Sequence, residues 1–142
     1  MSERYLHRKD APFGDKVWEA IDAAVVSAAK SHLNGRRLIQ TKGPYGLGLK
    51  SLPCCDKPVD EKTAGSTKMT VPCVTPLAMI HSVFSLAIRD IASFEQSGMM
   101  LNLGQAAKAA IDCARQEDNI VFNGSKAVGL KGLMNMEGSL SV

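Results

Sequence analysis

The feature that most restricts this chain is the stretch from residue 43 to residue 76. It holds Pro44, Pro53, Pro58, Pro72 and Pro76, glycines at 43, 46, 48 and 65, and the polar run DKPVDEKTAGSTK. A proline lacks the backbone donor that helix and sheet interiors need, so no long helix or central strand can run through this segment. A structureless loop of this length would be unusual inside a compact domain. The segment therefore reads as a β-hairpin-like excursion away from the core, with its tip near residues 56 to 67. Such an excursion has little interior of its own and needs a neighbour to lean on.

The remainder of the 142 residues reads as an ordinary globular body, with 45% hydrophobic and 22% charged residues. Residues 1 to 14 are expected to form an extended arm, because Pro12 disfavours helix at Ala11. A helix should begin near Asp15, which can cap its first amides. Val17, Trp18, Ile21, Ala24, Val25, Ala28 and Leu33 follow a helical stripe, with Trp18 and Ile21 as core anchors. Asn34-Gly35 reads as the left-handed stop, and 37 to 41 as a short extended piece. Residues 77 to 94 fit either a helical stripe or an alternating strand, ended by Gln96-Ser97-Gly98. Asn102 can cap a second, alanine-rich helix from about Gly104 to Asp118. Ile120-Val121-Phe122 is then a short apolar run before the turn signal Asn123-Gly124. The chain ends with no closing element expected.

The candidate chemistry is thin. Gly43, Gly46 and Gly48 lie beside Arg36, Arg37, Lys42 and Lys50, but their spacing is neither G-x-G-x-x-G nor G-x-x-x-x-G-K-[ST]. Prolines rather than a helix follow, so the amides and dipole that hold a phosphate are missing. Gly43, Pro44 and Gly46 read instead as a structural bend. Cys54, Cys55, Cys73 and Cys113 lack zinc-site spacing, and His7, His32 and His81 are far apart. Glu117-Asp118 reads as a solvated or capping pair, since neighbours on a helix point in different directions. Ser125 and Ser139 lack the G-x-S-x-G context of a serine nucleophile. No catalytic residue, metal or cofactor is expected. A net charge of +3, dispersed among 14 acids, argues against nucleic-acid binding. The polar start MSERYLHRKD and the lack of a long apolar run point to a cytoplasmic protein with reduced thiols and no membrane contact.

Specific motifs carry a resemblance beyond these patterns. Arg8, Ala11-Pro12, Trp18, Ile21-Asp22, Leu33, Gly35-Arg36-Arg37 and Gly43-Pro44-Tyr45-Gly46 occur in order at the spacing of the amino-terminal segment of encapsulin shell proteins, the linocin-type bacteriocin family. Residues 83 to 90, VFSLAIRD, resemble that family's strand after the excursion. QEDNIVFNGSKAVGLKGLMNMEG, residues 116 to 138, is similar to a further family segment. The likeness spans nearly all of this chain, but only about the first half of a typical member.

The resemblance implies an α+β fold like that of the HK97 phage capsid protein, in truncated form. Residues 1–42 would be the N-terminal arm and helix, 43–80 the extended loop, and 81–142 a partial peripheral domain with its spine helix at 102–118; the axial domain would be absent. The implied function is non-enzymatic: a homo-oligomeric icosahedral shell that encloses cargo enzymes, often iron-oxidising ferritin-like proteins or peroxidases. The cargo's C-terminal peptide would dock near Leu33, Arg36 and Leu38. Read from the residues alone, Leu33 can equally be core and Arg36 an interface charge. Gln40 stands where some members carry an acid, and Arg89 where flavin-binding members place a tryptophan, so flavin is not expected. The alternatives are an interaction module that pairs with a separately encoded C-terminal half and, third, a bacteriocin- or protease-like activity.

Overall fold

Asp15–His32 forms helix α1, an 18-residue run free of glycine and proline. Asp15 opens it and Lys30 and His32 close it, which suits the helix dipole at both ends. The computed structural model describes residues 7–59, 67–136 and 138. Asp15 is the first helical residue rather than the cap. Gly14 holds the cap position, and its N–H donates to Glu95 Oε1 at 2.7 Å. The preceding segment makes a single 3-10 turn at Arg8–Asp10 and is extended at Ala11, where Pro12 disfavours the helical region.

The expected stop at Asn34-Gly35 is overturned. Leu33 caps α1, Asn34 has helical torsions, and Gly35–Leu38 forms the short helix α2. The cause is Asp118, whose carboxylate accepts from the N–H groups of Asn34 and Gly35, each at 2.9 Å. Those bonds satisfy the free donors of a helix start, so Asn-Gly opens a turn where it was expected to end one. Gly35 is buried, and a Cβ there would lie 3.1 Å from both Asp118 Oδ1 and Val121. Arg37 and Leu38 are consequently helical, and the backbone becomes extended only at Ile39.

Residues 77 to 94 hold to neither periodicity throughout. Leu77 continues the hairpin by donating its N–H to the Lys50 carbonyl at 2.9 Å, and residues 78–87 form neither helix nor strand, so the strand expected at 83 to 90 is replaced by irregular chain and the start of a helix. Helix α3 occupies Ile88–Ser97 and ends on Gly98 at φ 65°, where glycine tolerates the left-handed region. Helix α4, Gly104–Asn123, is longer than the sequence suggests, because Ile120, Val121 and Phe122 continue it. Asn102 Oδ1 accepts from the Gly104 N–H at 3.1 Å. Ala106, Ala109, Ala110 and Ala114 fall at i, i+3, i+4 and i+8 and are all buried, a stripe that faces one partner. α1 is that partner. Val17, Ile21, Ile91 and Leu101 form the buried centre, with Phe13, Trp18, Val25, Phe84, Leu86, Phe94 and Leu103 packed around it.

The middle of the chain is a hairpin built from two short ladders. Strand β1 (Ser51–Pro53) pairs with β4 (Val74–Pro76), and β2 (Lys57–Val59) with β3 (Met69–Val71), both antiparallel. Residues 60–66, within the expected tip, lie outside the described residues. The two registers differ by one position. Cys55 and Asp56 on one side face only Pro72 on the other, the two-against-one count of a β-bulge. Proline has no N–H to lose from the ladder there. The bulge also decides which side chains share a face. Leu52 and Cys54 before it, Lys57 and Val59 after it, and Met69, Val71, Cys73 and Thr75 opposite all project to one side. Without the extra residue, Asp56 and Pro58 would take the places of Lys57 and Val59.

After α4, β5 (Gly124–Ser125) and β6 (Leu130–Lys131) make a small antiparallel pair. Gly124 takes φ 70°, and a Cβ on it would collide with the backbone of Leu130 to Gly132. Among the described residues no helix is long and apolar enough to cross a membrane.

Candidate functional site

The alanine stripe of α4 lets α1 approach, and the two helices leave an apolar groove between them. Val25, Ala29 and Leu33 supply one wall; Ala106, Ala110, Cys113 and Ala114 supply the other. The segment between the hairpin and α3 closes it with Ile80, Ser82 and Phe84. Its volume is about 320 Å³, within the size range of pockets that hold a ligand or part of a peptide.

One charged pair sits on this lining. Arg36 donates from Nε to Glu117 Oε1 at 2.6 Å and from Nη2 to Oε2 at 2.8 Å, a two-pronged fit. The hydrogen bond to Glu117 holds the Arg36 proton more firmly than usual; partial burial opposes this and the carboxylate's charge adds to it. Next along α4, partial burial pushes the Asp118 carboxyl up. The hydrogen bonds from Gly35 and Asn34, with the nearby Arg37 charge, outweigh it and leave the group below the ordinary aspartate value. Glu117 and Asp118 thus work side by side, one on the guanidinium of α2 and the other on its backbone. Neither sits at a helix end. Their partners lie more than 80 residues away, which is why no local pattern reveals them.

Of the residues singled out for peptide docking, Leu33 and Arg36 line the groove. Leu38 does not; it lies outside the lining, 71% exposed. Ile80, Phe84, Cys113 and Glu117 are lining residues that sequence reasoning did not bring to this place. At the bend, Gly43 and Gly46 take φ 126° and 89°, both in the left-handed range.

A larger cavity of about 890 Å³ lies beside the N-terminal segment. Two charge pairs lie on its lining, His7 with Asp10 at 2.9 Å and Arg8 with Asp22. Arg8 Nη1 and Nη2 donate to Asp22 Oδ2 and Oδ1 at 2.7 and 2.6 Å. The Arg8 guanidinium also lies 4.7 Å from the Trp18 ring centre, and Phe13 packs 5.0 Å from Trp18 on tilted rings. The hydrogen bond from Arg8 draws the Asp22 carboxyl below its ordinary value, against partial burial and with the help of the Arg8 charge. This cluster ties the N-terminal segment to α1. Among the described residues no group of three or more His, Cys, Asp or Glu could hold a metal ion.

The described residues thus combine a helical body that holds a groove with a two-stranded hairpin whose apolar side chains are exposed. The chain belongs to the encapsulin family, described as "encapsulating protein for peroxidase", which it matches over residues 3–142. It is 29% identical to the type 1 encapsulin shell protein EncA of Myxococcus xanthus, over 97% of this chain and 51% of that protein. It is 28% identical to a diheme-cytochrome-encapsulin shell fusion protein of Kuenenia stuttgartiensis, over 85% of this chain and 36% of that one. A type 1 encapsulin shell protein of Rhodococcus erythropolis is 26% identical, over 90% and 48%. The chain spans about half the length or less of these relatives. Family membership implies an HK97-like fold, and the helices and strands seen here are consistent with it.

Proposed function

We propose that this chain is a structural shell subunit that self-assembles with copies of itself into a cytosolic nanocompartment around cargo enzymes. The observation that carries this reading is the hairpin's apolar face. Leu52, Val71 and Met69 line one side of a ribbon only two strands thick, and each is more than two-fifths exposed. A ribbon of this kind is marginal alone and gains stability when another surface covers that side. A second copy is the natural cover, with residues 43–80 laid across the neighbour as the capsid-like extended loop, Gly43, Pro44 and Gly46 making the bend, and residues 81–142 forming a peripheral region.

The groove between α1 and α4 would then take an apolar peptide from the cargo. Small alanine side chains leave room for bulky aliphatic residues, and Leu33 with Phe84 supplies contact area. Arg36, tethered by Glu117, keeps donors for a polar group of the peptide. Leu38 lies too far out to form the floor and would touch cargo only at the rim.

Sedimentation velocity and negative-stain microscopy of the purified chain test the assembly. Closed particles support the shell reading. A monomer at high concentration, with the amides of 51–59 and 69–76 strongly protected from hydrogen exchange, would remove its basis. A second reading has its own support. Residues 78–87 form neither helix nor strand, and Val83 is 86% exposed. An interaction module whose partner supplies the adjoining strand would look like this. Small species that form particles only when a complementary encapsulin segment is co-expressed would favour it.

A further inference from the structure

We propose that Cys54 and Cys73 are a dithiol pair that closes into a cross-strand disulfide under mild oxidation. Continuing the β1–β4 register by one step sets Cys54 opposite Cys73. The Cys54 N–H donates to the Cys73 carbonyl at 2.7 Å, so the ladder extends to this pair. Residues facing each other at a hydrogen-bonded position have Cα atoms about 5.5 Å apart, inside the span that a disulfide bridges. Both side chains lie on the same face of the ribbon, because Cys54 reaches Thr75 Oγ1 at 3.0 Å and Thr75 and Cys73 are two residues apart on one strand. A rotation of the Cys54 side chain away from Thr75 turns its sulfur toward Cys73. Cys55 projects to the opposite face, and Cys113 lines the groove in the helical body, so neither competes for this partner within the chain.

The oxidant is a small-molecule disulfide such as oxidised glutathione. One cysteine loses its proton, and its thiolate attacks one sulfur of the oxidant. A mixed disulfide forms and a glutathione thiolate leaves. The second cysteine, likewise deprotonated, then attacks the protein sulfur of that mixed disulfide. The Cys54–Cys73 bond forms, the second glutathione thiolate leaves with its electron pair, and the two released protons go to the leaving thiolates. Two protein thiols are oxidised and one small disulfide is reduced to two thiols. The link lies beside the Cys55-Asp56 bulge, where the two ladders meet, and so fixes the register on both sides. It needs only the hairpin and does not rest on the shell reading.

The test uses the full chain carrying Cys55→Ser and Cys113→Ser, reduced and then exposed to oxidised glutathione. The expected product is a monomeric chain lighter by two hydrogen atoms that no longer reacts with iodoacetamide. Trypsin cutting at Lys68, between the two cysteines, should leave fragments that separate only after reduction. Adding Cys73→Ser should abolish this product and leave a glutathione adduct. Free thiols at both positions after oxidation, a stable glutathione adduct in the parent, or linkage only between chains would each overturn the proposal.

Discussion

The helical body and the hairpin contain similar apolar residues but treat them in opposite ways. In the body, Val17 is fully covered, and Ala106, Ala109, Ala110 and Ala114 of α4 are buried on the side that packs on α1. In the hairpin, Leu52 and Val71 lie on a common face and remain 43% and 44% exposed. The difference follows from geometry. Two helices cover each other's stripes, whereas a two-stranded ribbon has one layer and no second layer of its own. The body is where the chain buries its apolar side chains, and the hairpin is where they stay uncovered.

The largest effect expected is on the body. Val17→Asp places a charge in the fully buried site and should destabilise the chain by about 4 kcal/mol, abolishing cooperative unfolding in denaturant titrations followed by circular dichroism. Asp118→Ala removes the acceptor for Asn34 and Gly35 and should cost about 1.5–3 kcal/mol, seen as a lower denaturation midpoint and faster exchange of the Asn34 and Gly35 amides. A wild-type midpoint would show that α2 holds without it.

Acid should weaken the same contacts. Asp22 and Asp118 both have folded values below the ordinary 3.8, so their stabilisation is complete above that value. It is lost as the pH falls through the folded values. Thermal scans at descending pH should show a steep loss below about pH 4, and a shallower one in Asp118→Ala. The smallest effect on the isolated chain belongs to the hairpin. Val71→Ser should change unfolding by about 0.5 kcal/mol or less, yet reduce the particle fraction in sedimentation. A large loss of monomer stability would erase the contrast between the two regions.

The sequence reveals the parts of this contrast that local rules govern. The start of α1 after Pro12 and the left-handed turn at Gly98 follow from residue chemistry at those positions, whereas α4 runs past its expected end at Asp118 to Asn123. The excursion follows from its prolines. What local rules miss depends on residues distant in the chain. Asn34-Gly35 looks like a helix stop until Asp118 is brought to it. Residues 77–94 satisfy two periodicities, and neither holds throughout: the segment is irregular up to Ala87 and helical from Ile88. The groove was only partly legible: Leu33 and Arg36 reach it, but Phe84, Cys113 and Glu117 are assembled there by the packing of α1 on α4. The bulge that keeps Val59 with the apolar face depends on comparing two registers, which no single strand displays.

The bond between Asp118 and Gly35 spans 83 residues, and this sets an order of events during synthesis. At a translation speed of about 5–20 residues per second, roughly 4–17 s separate the emergence of Gly35 from that of its anchor. For most of that wait the first helix has left the ribosome without Ile91, Leu101 and the α4 alanines that pack on it. Nascent chains stalled before residue 118 should therefore be cut readily by protease within residues 15–38 and bind holdase chaperones, and chains released after that point should not.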